Sequence, residues 1–392
     1  MHPALTQSDI EVSVVIPCLN EADTLGACLS KAARAMQKQG IRGELVVADN
    51  GSSDGSREIA AAAGARVIPV AEKGYGNALM GGIAAARGSF VVMGDADDSY
   101  DFSDLPKFVE KLRQGFDLVQ GCRFPSGGGS IQQGAMRFTH RWVGNPLFSF
   151  LVRLWFHAPV HDVYCGMRGF RKDLFESLDQ RCTGMEFATE MIIKASLGGA
   201  RIAEAPIVLY RDGRKSHAPH LKTVRDGWRT LRYFLMCSPR WLFLLPGALL
   251  IGLGCLAYGL ALPGIVVRGV RFDAHTLLFG SLFAICGYQS ILFALFARTF
   301  AYTAGLLPPN PRLLRFYELV DLEKGLVVAA TAILTGGLLL LLAVNQWRLA
   351  GFGNLDYAKT MRLVIPGATL IALGFQTFLS SFFISIMGMK RK

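Results

Sequence analysis

Charged residues are scarce in this chain. They make up 18% of its 392 residues, against roughly 25% in an ordinary soluble domain. Hydrophobic residues make up 51% and the mean hydropathy is +0.33. These values exclude a disordered chain and argue against an entirely soluble protein.

Cysteine pairs with the spacing of a redox or zinc motif are also lacking. The eight cysteines are scattered along the chain with no CxxC pair. This pattern predicts reduced, packed thiols rather than disulfides or a zinc site. The first eleven residues are polar and lack the apolar core of a signal peptide, so we expect the N-terminal half to lie in the cytoplasm.

Charge is missing altogether from four stretches in the C-terminal part. These stretches are residues 241–262, 274–297, 325–344 and 363–387, each 20 to 25 residues long. Helices of that length cross a hydrocarbon core of about 30 Å. We therefore expect four membrane spans, with buried core helices as the alternative. Pro246 and Pro366 are expected near the starts of two spans, where a missing backbone hydrogen bond costs least.

The net charge of +11 is concentrated towards these spans. Residues 1–199 carry 20 basic and 22 acidic side chains, residues 200–240 carry 9 and 3, and residues 241–392 carry 12 and 5. Basic residues beside a span predict the cytoplasmic side, and they suit an anionic lipid surface. Nucleic acid is not expected as a partner, because no recognition module is seen. We expect a multi-pass protein of the bacterial inner membrane.

Strands and helices alternate in the N-terminal half. Strands are predicted at residues 11–16, 44–48, 66–70, 89–93 and 117–120, and helices at 22–39, 56–63, 76–87 and 104–114. Asn20 is the expected cap of the first helix. This order predicts a mostly parallel α/β sheet with helices on both faces. Such sheets bind ligands at the carboxyl ends of their strands.

Carboxylates follow two of these predicted strands. Asp49 ends the second strand, and Asp95 and Asp97 follow the fourth. Crowded carboxylates repel one another unless a cation lies between them. A hard divalent cation, shared with substrate phosphates, satisfies that requirement. The alternative is that each is a turn or cap residue, which we favour for Asp54 alone.

The composition of residues 142–157 suggests contact with lipid. This segment is rich in Trp, Phe and Leu and contains Arg153. This composition predicts an interfacial helix that guides a lipid phosphate towards Asp97. The alternative is a helix buried under the sheet.

The glycine-rich residues 73–78 lack the ending of a phosphate-binding P-loop and match a dinucleotide fingerprint poorly.

Together these motifs resemble family 2 glycosyltransferases, and within them the dolichol-phosphate mannose and glucose synthases, which charge polyprenyl phosphates. The resemblance covers roughly residues 12–240. It depends on several motifs in order: Val14-Val15-Ile16-Pro17-x-x-Asn20-Glu21, Asp49-Asn50-Gly51-Ser52-x-Asp54-Gly55, Asp95-Ala96-Asp97, Gly121-Cys122-Arg123-Phe124, Asp162-x-x-x-Gly166-x-Arg168, residues 186–190 and residues 211–216.

The resemblance implies a GT-A domain at residues 1–210, a basic juxtamembrane segment at 211–240 and a four-helix membrane domain at 241–392. It implies a nucleotide-diphosphate sugar, UDP- or GDP-linked, as donor. The implied acceptor is undecaprenyl or dolichyl phosphate, and the implied cofactor is Mg²⁺ or Mn²⁺. The lipid phosphate is already anionic at neutral pH, so the protein has mainly to align it and stabilise the leaving diphosphate. Attack from the opposite face predicts inversion at the anomeric carbon.

The resemblance also assigns roles to individual residues. The nucleotide contacts fall on Pro17, Leu19, Glu21, Asp49 and Asp95. The metal ligands fall on Asp95 and Asp97, with Asp97 the more direct of the two. The acceptor-phosphate contacts fall on Arg123, Arg137, Arg141, Arg211 and Lys215. The groups closest to the reaction would be Asp97, Asp162, Arg123 and Arg211.

The chain departs from this pattern at three positions. Asn50 stands where a second Asp is often found, Ser99 stands where some members have Gln, and Arg141 stands where some have a hydroxyl residue.

Two other functions are considered. A processive polysaccharide synthase would carry Gln-x-x-Arg-Trp, but Cys237 stands in place of the Gln before Arg240-Trp241. The other is a non-catalytic protein that binds or moves lipid-linked sugars.

Overall fold

A computed structural model describes residues 10–215, 223–303 and 321–388. The chain divides into two compact units, Met1–Phe234 and Leu235–Lys392. Part of the predicted juxtamembrane segment, residues 216–222, lies outside the described residues.

The N-terminal unit is built on a seven-stranded sheet. Its strands are β1 (Val12–Cys18), β2 (Gly43–Asp49), β3 (Arg66–Pro69), β4 (Phe90–Met93), β5 (Leu118–Cys122), β7 (Arg168–Arg171) and β8 (Ile202–Pro206), in the spatial order β3-β2-β1-β4-β7-β5-β8. A separate parallel pair joins β6 (Ser130–Ile131) to β9 (Val208–Leu209). In the main sheet β7 is antiparallel to β4 and β5, whereas the other neighbours are parallel.

The helices of this unit alternate with the strands. They are α1 (Leu25–Lys38), α2 (Ser56–Ala62), α3 (Tyr75–Ala85), α4 (Leu105–Arg113), α5 (Asn145–Phe156), α6 (Lys172–Leu178) and α7 (Phe187–Leu197), and the next helix, α8 (Thr223–Cys237), crosses the division at Phe234 into the second unit. Apolar residues spaced three or four apart bury one face of α1 against the sheet, as an amphipathic helix requires. This architecture confirms the expected mostly parallel α/β domain.

The expected cap of α1 is wrong. The N-cap residue is Thr24, and Asn20 instead has a left-handed backbone with φ 59°. Its side-chain oxygen accepts a hydrogen bond from the Ser53 backbone at 2.9 Å. Asn is one of the few residues that tolerates this conformation. Asn20 therefore ties the turn after β1 to the turn after β2 and does not start the helix.

Among its described residues, the C-terminal unit contains four helices long and apolar enough to span a membrane. They extend over Arg240–Ala261, Ala274–Thr303, Leu322–Leu349 and Tyr357–Met387. Their α-helical parts are α9 (Leu245–Ala261), α10 (Ala274–Thr303), α11 (Leu322–Leu349) and α12 (Tyr357–Gly388), with a short hairpin, β10 (Val266–Val267) and β11 (Val270–Arg271), between the first two. The first helix covers residues 241–261 of its charge-free stretch and the other three contain theirs in full, which agrees with the expected four spans.

One expectation about proline in these helices is wrong. Pro246 lies in the first turn of α9, as expected, but Pro366 lies inside α12. The helix begins before the charge-free stretch, just after Asp356, whose Oδ1 accepts a hydrogen bond from the Lys359 backbone at 3.2 Å. Arg362, in this first part of the helix, has a partner in Asp273, with Nη2 3.3 Å from Oδ1.

Glycines allow these helices to approach closely. A side chain at Gly247 would lie 2.8 Å from the carbonyl oxygen of Gly287, and one at Gly254 would lie 2.9 Å from that of Gly280. These contacts join α9 to α10, and small residues at such crossings are typical of membrane helices. Of the eight cysteines, which were expected to be packed thiols, four are buried (Cys18, Cys28, Cys122 and Cys165), whereas Cys255 and Cys286 are exposed.

Candidate active site

The candidate site lies where β2, β1 and β4 end side by side. The three strands are neighbours and parallel, with β1 in the middle. Asp49 is the last residue of β2, and Asp95 and Asp97 follow β4. The sheet therefore brings the strand-end carboxylates to the same edge, as the sequence pattern predicts.

Asp95 is held by groups that sequence reasoning did not assign. Its Oδ1 accepts a hydrogen bond from the Tyr75 hydroxyl at 2.8 Å. A side chain at position 166 would lie 2.5 Å from Oδ2, so glycine is required there. Burial, and then the neighbouring charge of Asp97, raises the pKa of the Asp95 carboxyl to about 6. The two aspartates are thus close enough to repel each other.

Asp97 has a different set of partners. Its Oδ1 accepts hydrogen bonds from the Ser99 backbone and hydroxyl at 3.0 and 2.7 Å. Its Oδ2 accepts a hydrogen bond from Arg214 Nη2 at 2.7 Å. Ser99 therefore orients Asp97 in a short turn.

Arg214 is a site residue that sequence reasoning missed. Its guanidinium also lies 3.0 Å from Asp212 and 3.5 Å from Glu21. The motif at residues 211–216 contains Arg214, but a motif alone does not show which of its basic residues reaches back to Asp97. The fold joins these two residues across 117 positions of sequence.

The expected nucleotide side of the site is organised around Asp49. Its carboxylate accepts hydrogen bonds from the backbone of Ser52 and Gly51, and from Arg57 Nε at 2.6 Å. Burial opposes its charge, but the hydrogen bonds from Ser52, Arg57 and Gly51 lower the pKa of Asp49 below its ordinary value. Asp49 is therefore ionised at neutral pH and held in one orientation by its hydrogen bonds.

Asn50 supports the Gly-rich segment instead of extending the Asp49 site. Its amide nitrogen donates to the carbonyls of Val70 and Glu72, and its oxygen accepts from the Gly74 backbone at 2.9 Å. This three-bond clamp fixes the residues just before Tyr75. The departure of Asn50 from the family pattern therefore has a structural explanation. The Gly-rich segment serves to present the Tyr75 hydroxyl to Asp95.

Arg123 and Asp162 form a buried ion pair. Arg123 Nε and Nη2 donate to the two carboxylate oxygens at 2.6 and 2.8 Å. The backbone of Arg123 donates to the same carboxylate at 3.0 Å. The side chain of Asp162 is 0% exposed and that of Arg123 is 8% exposed. The structure thus brings together two predicted site residues, but it places the guanidinium fork on the aspartate.

The remaining predicted acceptor residues are more exposed. Arg137, Arg211 and Lys215 lie on the surface, and Arg141 lies over the Trp142 ring at 5.4 Å. Arg211 Nε donates to the Gln133 carbonyl at 2.8 Å. Burial, and then the charges of Arg137 and Arg123, lowers the pKa of His140. This side of the site is electropositive, as an oxyanion-binding surface should be.

The predicted interfacial segment has an outward apolar face. It comprises a π-helical turn (His140–Gly144) followed by α5. The exposed large apolar side chains are those of Phe138, Trp142, Val143, Leu147, Phe150 and Leu154. The buried positions of α5 include the polar Asn145 and Ser149. Val152 and Phe156 are buried as well, so α5 packs through one face and exposes large apolar side chains on the other, rather than being buried on all sides.

The site contains suitable ligands for a divalent cation. Within residues 10–215, 223–303 and 321–388, no three His, Cys, Asp or Glu side chains are grouped as a preformed metal site. Asp95 and Asp97 nevertheless offer two hard oxygen donors, which suit Mg²⁺ or Mn²⁺. A cation, the Arg214 guanidinium, already contacts Asp97. The donor set therefore fits the expected ion.

Family comparisons agree with this geometry. The chain matches the family model Glycosyl transferase family 2 over residues 13–179 and the model Glycosyltransferase family 2 C-terminal transmembrane region over residues 295–388. The low-salt glycan biosynthesis hexosyltransferase Agl6 of Haloferax volcanii is 36% identical over 379 residues, which are 96% of this chain and 89% of that protein. The chain belongs to glycosyltransferase family 2.

Two further similarities cover part of this family 2 enzyme. The dolichyl-phosphate hexose transferase of the same organism is 34% identical over 198 residues, which are 50% of this chain and 82% of that protein. Glucosyl-3-phosphoglycerate synthase of Mycobacterium tuberculosis, solved with Mn²⁺, UDP and glucosyl-3-phosphoglycerate, is 22% identical, with a TM-score of 0.47. The matched region covers 61% of this chain and 86% of the synthase chain. The observed order of strands, rather than this likeness, carries the fold assignment.

Proposed function

We propose that this family 2 enzyme transfers a hexose from a nucleotide-diphosphate sugar to a polyprenyl phosphate, with inversion and with a divalent metal ion. The observation that carries the proposal is that the strand-end carboxylates and the basic residues 211–215 meet at one residue. Asp97 accepts hydrogen bonds from Gly213 and Arg214, at 2.9 and 2.7 Å. The segment that carries the expected acceptor residues Arg211 and Lys215 thus reaches the expected donor-side residue Asp97.

Each side of this site suits one substrate. Asp49 and Glu21 lie on the nucleotide side. Asp95 and Asp97 would hold Mg²⁺ or Mn²⁺, which neutralises the diphosphate as it leaves. Arg137, Arg141 and Arg211 would bind the lipid phosphate, because guanidinium forks pair well with oxyanions. The proposal covers both UDP- and GDP-linked sugars.

The acceptor chemistry requires no general base at the proposed reaction centre. A phosphate monoester oxygen is anionic at neutral pH and attacks without losing a proton to the protein. Asp162, whose two oxygens both accept from Arg123, would therefore fix the loop that begins at position 162 rather than remove a proton. Gln120 supports the same loop by donating to the carbonyls of Asp162 and Cys165 at 2.9 and 3.0 Å.

The outward apolar face supports a lipid acceptor over a soluble one. Phe138 and Trp142 are 73% and 63% exposed, and they neighbour Arg137 and Arg141 in sequence. Apolar side chains beside arginines match a molecule with an apolar tail and an anionic head. The relative named dolichyl-phosphate hexose transferase also supports this acceptor class.

Purified full-length protein in nanodiscs tests the proposal. It is supplied with a panel of radiolabelled UDP- and GDP-sugars, Mn²⁺, and undecaprenyl or dolichyl phosphate. We expect label in the organic extract only when both lipid phosphate and metal are present, and we expect an anomeric configuration opposite to that of the donor. Label found only in long polymer would support the processive alternative, and no transfer to lipid with any donor would overturn the proposal.

We also propose that the catalytic unit faces the cytoplasm. The basic excess of residues 200–240 beside the first span supports this orientation. Trypsin should then cleave the catalytic unit in sealed inside-out vesicles and not in right-side-out vesicles, and the reverse pattern would contradict it. The relatives come from archaea and from mycobacteria, so the bacterial inner membrane stays a prediction.

A further inference from the structure

Residues 211–215, called the strap below, cross the candidate active site. Arg211 Nε donates to the Gln133 carbonyl at 2.8 Å, on the electropositive side. The Gly213 backbone donates to the Asp97 carbonyl at 2.9 Å, and the Lys215 backbone donates to Asp23 Oδ2 at 3.0 Å. The strap therefore bridges the expected acceptor side and the strand-end carboxylates.

The strap packs tightly as it passes Asp97. A side chain at Gly213 would lie 3.0 Å from Thr24 Cγ2 and 3.4 Å from the Asp97 carbonyl oxygen. Glycine is thus the residue that allows the strap this close to the site. The approach brings the next residue, Arg214, into the carboxylate cluster.

The Arg214 guanidinium lies among three carboxylates. Asp97 Oδ2 is at 2.7 Å, Asp212 Oδ1 is at 3.0 Å and Glu21 Oε1 is at 3.5 Å. The Arg214 side chain is only 10% exposed. A buried cation among crowded anions relieves their mutual repulsion. This is the electrostatic task that a divalent metal ion would perform at the same aspartate.

We propose that Arg214 is a positioning residue that occupies the cation position at Asp97 in the metal-free enzyme, and that metal binding displaces it together with the strap. The inference rests on the proposed function, because it concerns the metal site of that reaction. A guanidinium and a divalent cation repel each other strongly at the same partly buried oxygen. Their binding to Asp97 is therefore mutually exclusive.

Because Arg214 belongs to the strap, its displacement by the metal ion also affects the order in which the two substrates bind. Arg211, an expected acceptor-phosphate contact, lies three residues before Arg214. When the metal displaces Arg214, the segment that carries Arg211 is freed to rearrange. The metal ion and the nucleotide sugar would thus bind first. The lipid phosphate would bind only once the sugar that it receives is in place.

Binding of Mn²⁺ alone tests the competition. Full-length protein in nanodiscs is titrated with Mn²⁺ without nucleotide, and free Mn²⁺ is measured by electron paramagnetic resonance. Arg214→Gln should bind Mn²⁺ about tenfold more tightly than the wild type, a typical size for coupling between two binding events. Arg214→Lys, which keeps the charge, should stay close to the wild type.

Lys215→Gln is the matched control. It removes the same charge from the same strap, but the Lys215 contact with Asp23 is made by the backbone and survives. Its Mn²⁺ affinity should stay within about twofold of the wild type, because general charge effects at an exposed position are small. A second measurement follows hydrogen exchange of the peptide that carries the Gly213 amide. Mn²⁺ should accelerate its exchange in the wild type.

The outcomes separate this inference from the proposed function. Equal Mn²⁺ affinity of wild type and Arg214→Gln, or unchanged exchange at Gly213 on saturation with Mn²⁺, overturns the competition and leaves the transfer reaction untouched. Arg214→Lys binding as tightly as Arg214→Gln also overturns it, since the charge would then have no role. If neither protein binds Mn²⁺ or Mg²⁺, even with UDP or GDP, the metal requirement and this inference both fail.

Discussion

The hydroxyl of Tyr75 donates a hydrogen bond to Asp95 Oδ1 over 2.8 Å, and it links the N-terminus of α3 to the turn after β4. The carboxylate that it orients is one of the two proposed metal ligands. The Asn50 clamp on the preceding segment limits the freedom of Tyr75. A residue outside the recognised motifs thus helps to set the geometry of Asp95.

Tyr75→Phe should weaken donor binding while the fold is kept. The change removes one hydrogen bond to a charged group, worth about 1.5–3 kcal/mol, so kcat/KM for the nucleotide sugar should fall roughly ten- to hundredfold. Steady-state kinetics at varied donor and Mn²⁺ concentrations measure it. Tyr357→Phe, at an exposed position of the membrane unit, is the control. An unchanged kcat/KM would show that Tyr75 has no part in positioning Asp95.

Asp97→Ala should abolish transfer without preventing insertion or folding. Its loss removes a proposed metal ligand, so the rate should drop by at least about a thousandfold. Lipid-linked product is measured alongside size-exclusion behaviour and thermal unfolding. Asp101→Ala, a nearby turn carboxylate that caps Ser103, should retain most activity. Near-normal product from Asp97→Ala would disprove the metal assignment.

Arg123 and Asp162 should behave as one unit in stability measurements. Arg123→Met leaves the Asp162 carboxylate buried without its partner, at a cost of about 3–5 kcal/mol. The double variant with Asp162→Leu should lose much less than the sum of the single changes. Denaturant unfolding of the full-length protein, followed by near-ultraviolet circular dichroism, supplies the free energies of unfolding for this double-mutant cycle. Additive losses would mean that the ion pair carries no coupling energy.

Arg211→Ala should raise the KM for polyprenyl phosphate more than the KM for the nucleotide sugar. A charge-assisted contact with the lipid phosphate predicts an increase of about tenfold. Kinetics in nanodiscs with titrated acceptor measure both constants. Arg113→Ala, which removes a surface pair with Glu11, is the matched arginine control. Equal effects of Arg211→Ala on both substrates would remove its acceptor role.

Trp142 should lie in contact with lipid. Its exposed ring belongs to the outward apolar face, so brominated lipids should quench part of the tryptophan fluorescence through it. Trp142→Phe should reduce the quenched fraction. Trp155→Phe, at a ring that packs on Phe234 at 6.4 Å, should reduce it less. A larger quenched fraction after Trp142→Phe would place this ring in water.

Local sequence patterns were sufficient for most of the architecture. Alternating strands and amphipathic helices predicted β1 to β5 and α1 to α4 within about three residues, because side-chain periodicity follows directly from backbone geometry. The charge-free stretches predicted four spans, because only long apolar helices satisfy their backbone in lipid. The expected position of Pro366 failed because a helix can begin ahead of its charge-free stretch: α12 begins at Tyr357, just after Asp356, whose carboxylate accepts a hydrogen bond from the Lys359 backbone.

What the sequence by itself determined is therefore the set of elements and the chemical types gathered at the strand ends, including the Asp95-x-Asp97 pair. Only the tertiary structure decided that β7 inserts antiparallel between β4 and β5, and that Arg123 turns its fork onto Asp162. The tertiary structure also placed Arg214 on Asp97 and Tyr75 on Asp95. The physical reason is that periodicity acts over a few residues, whereas these contacts depend on how distant segments pack around the same sheet edge.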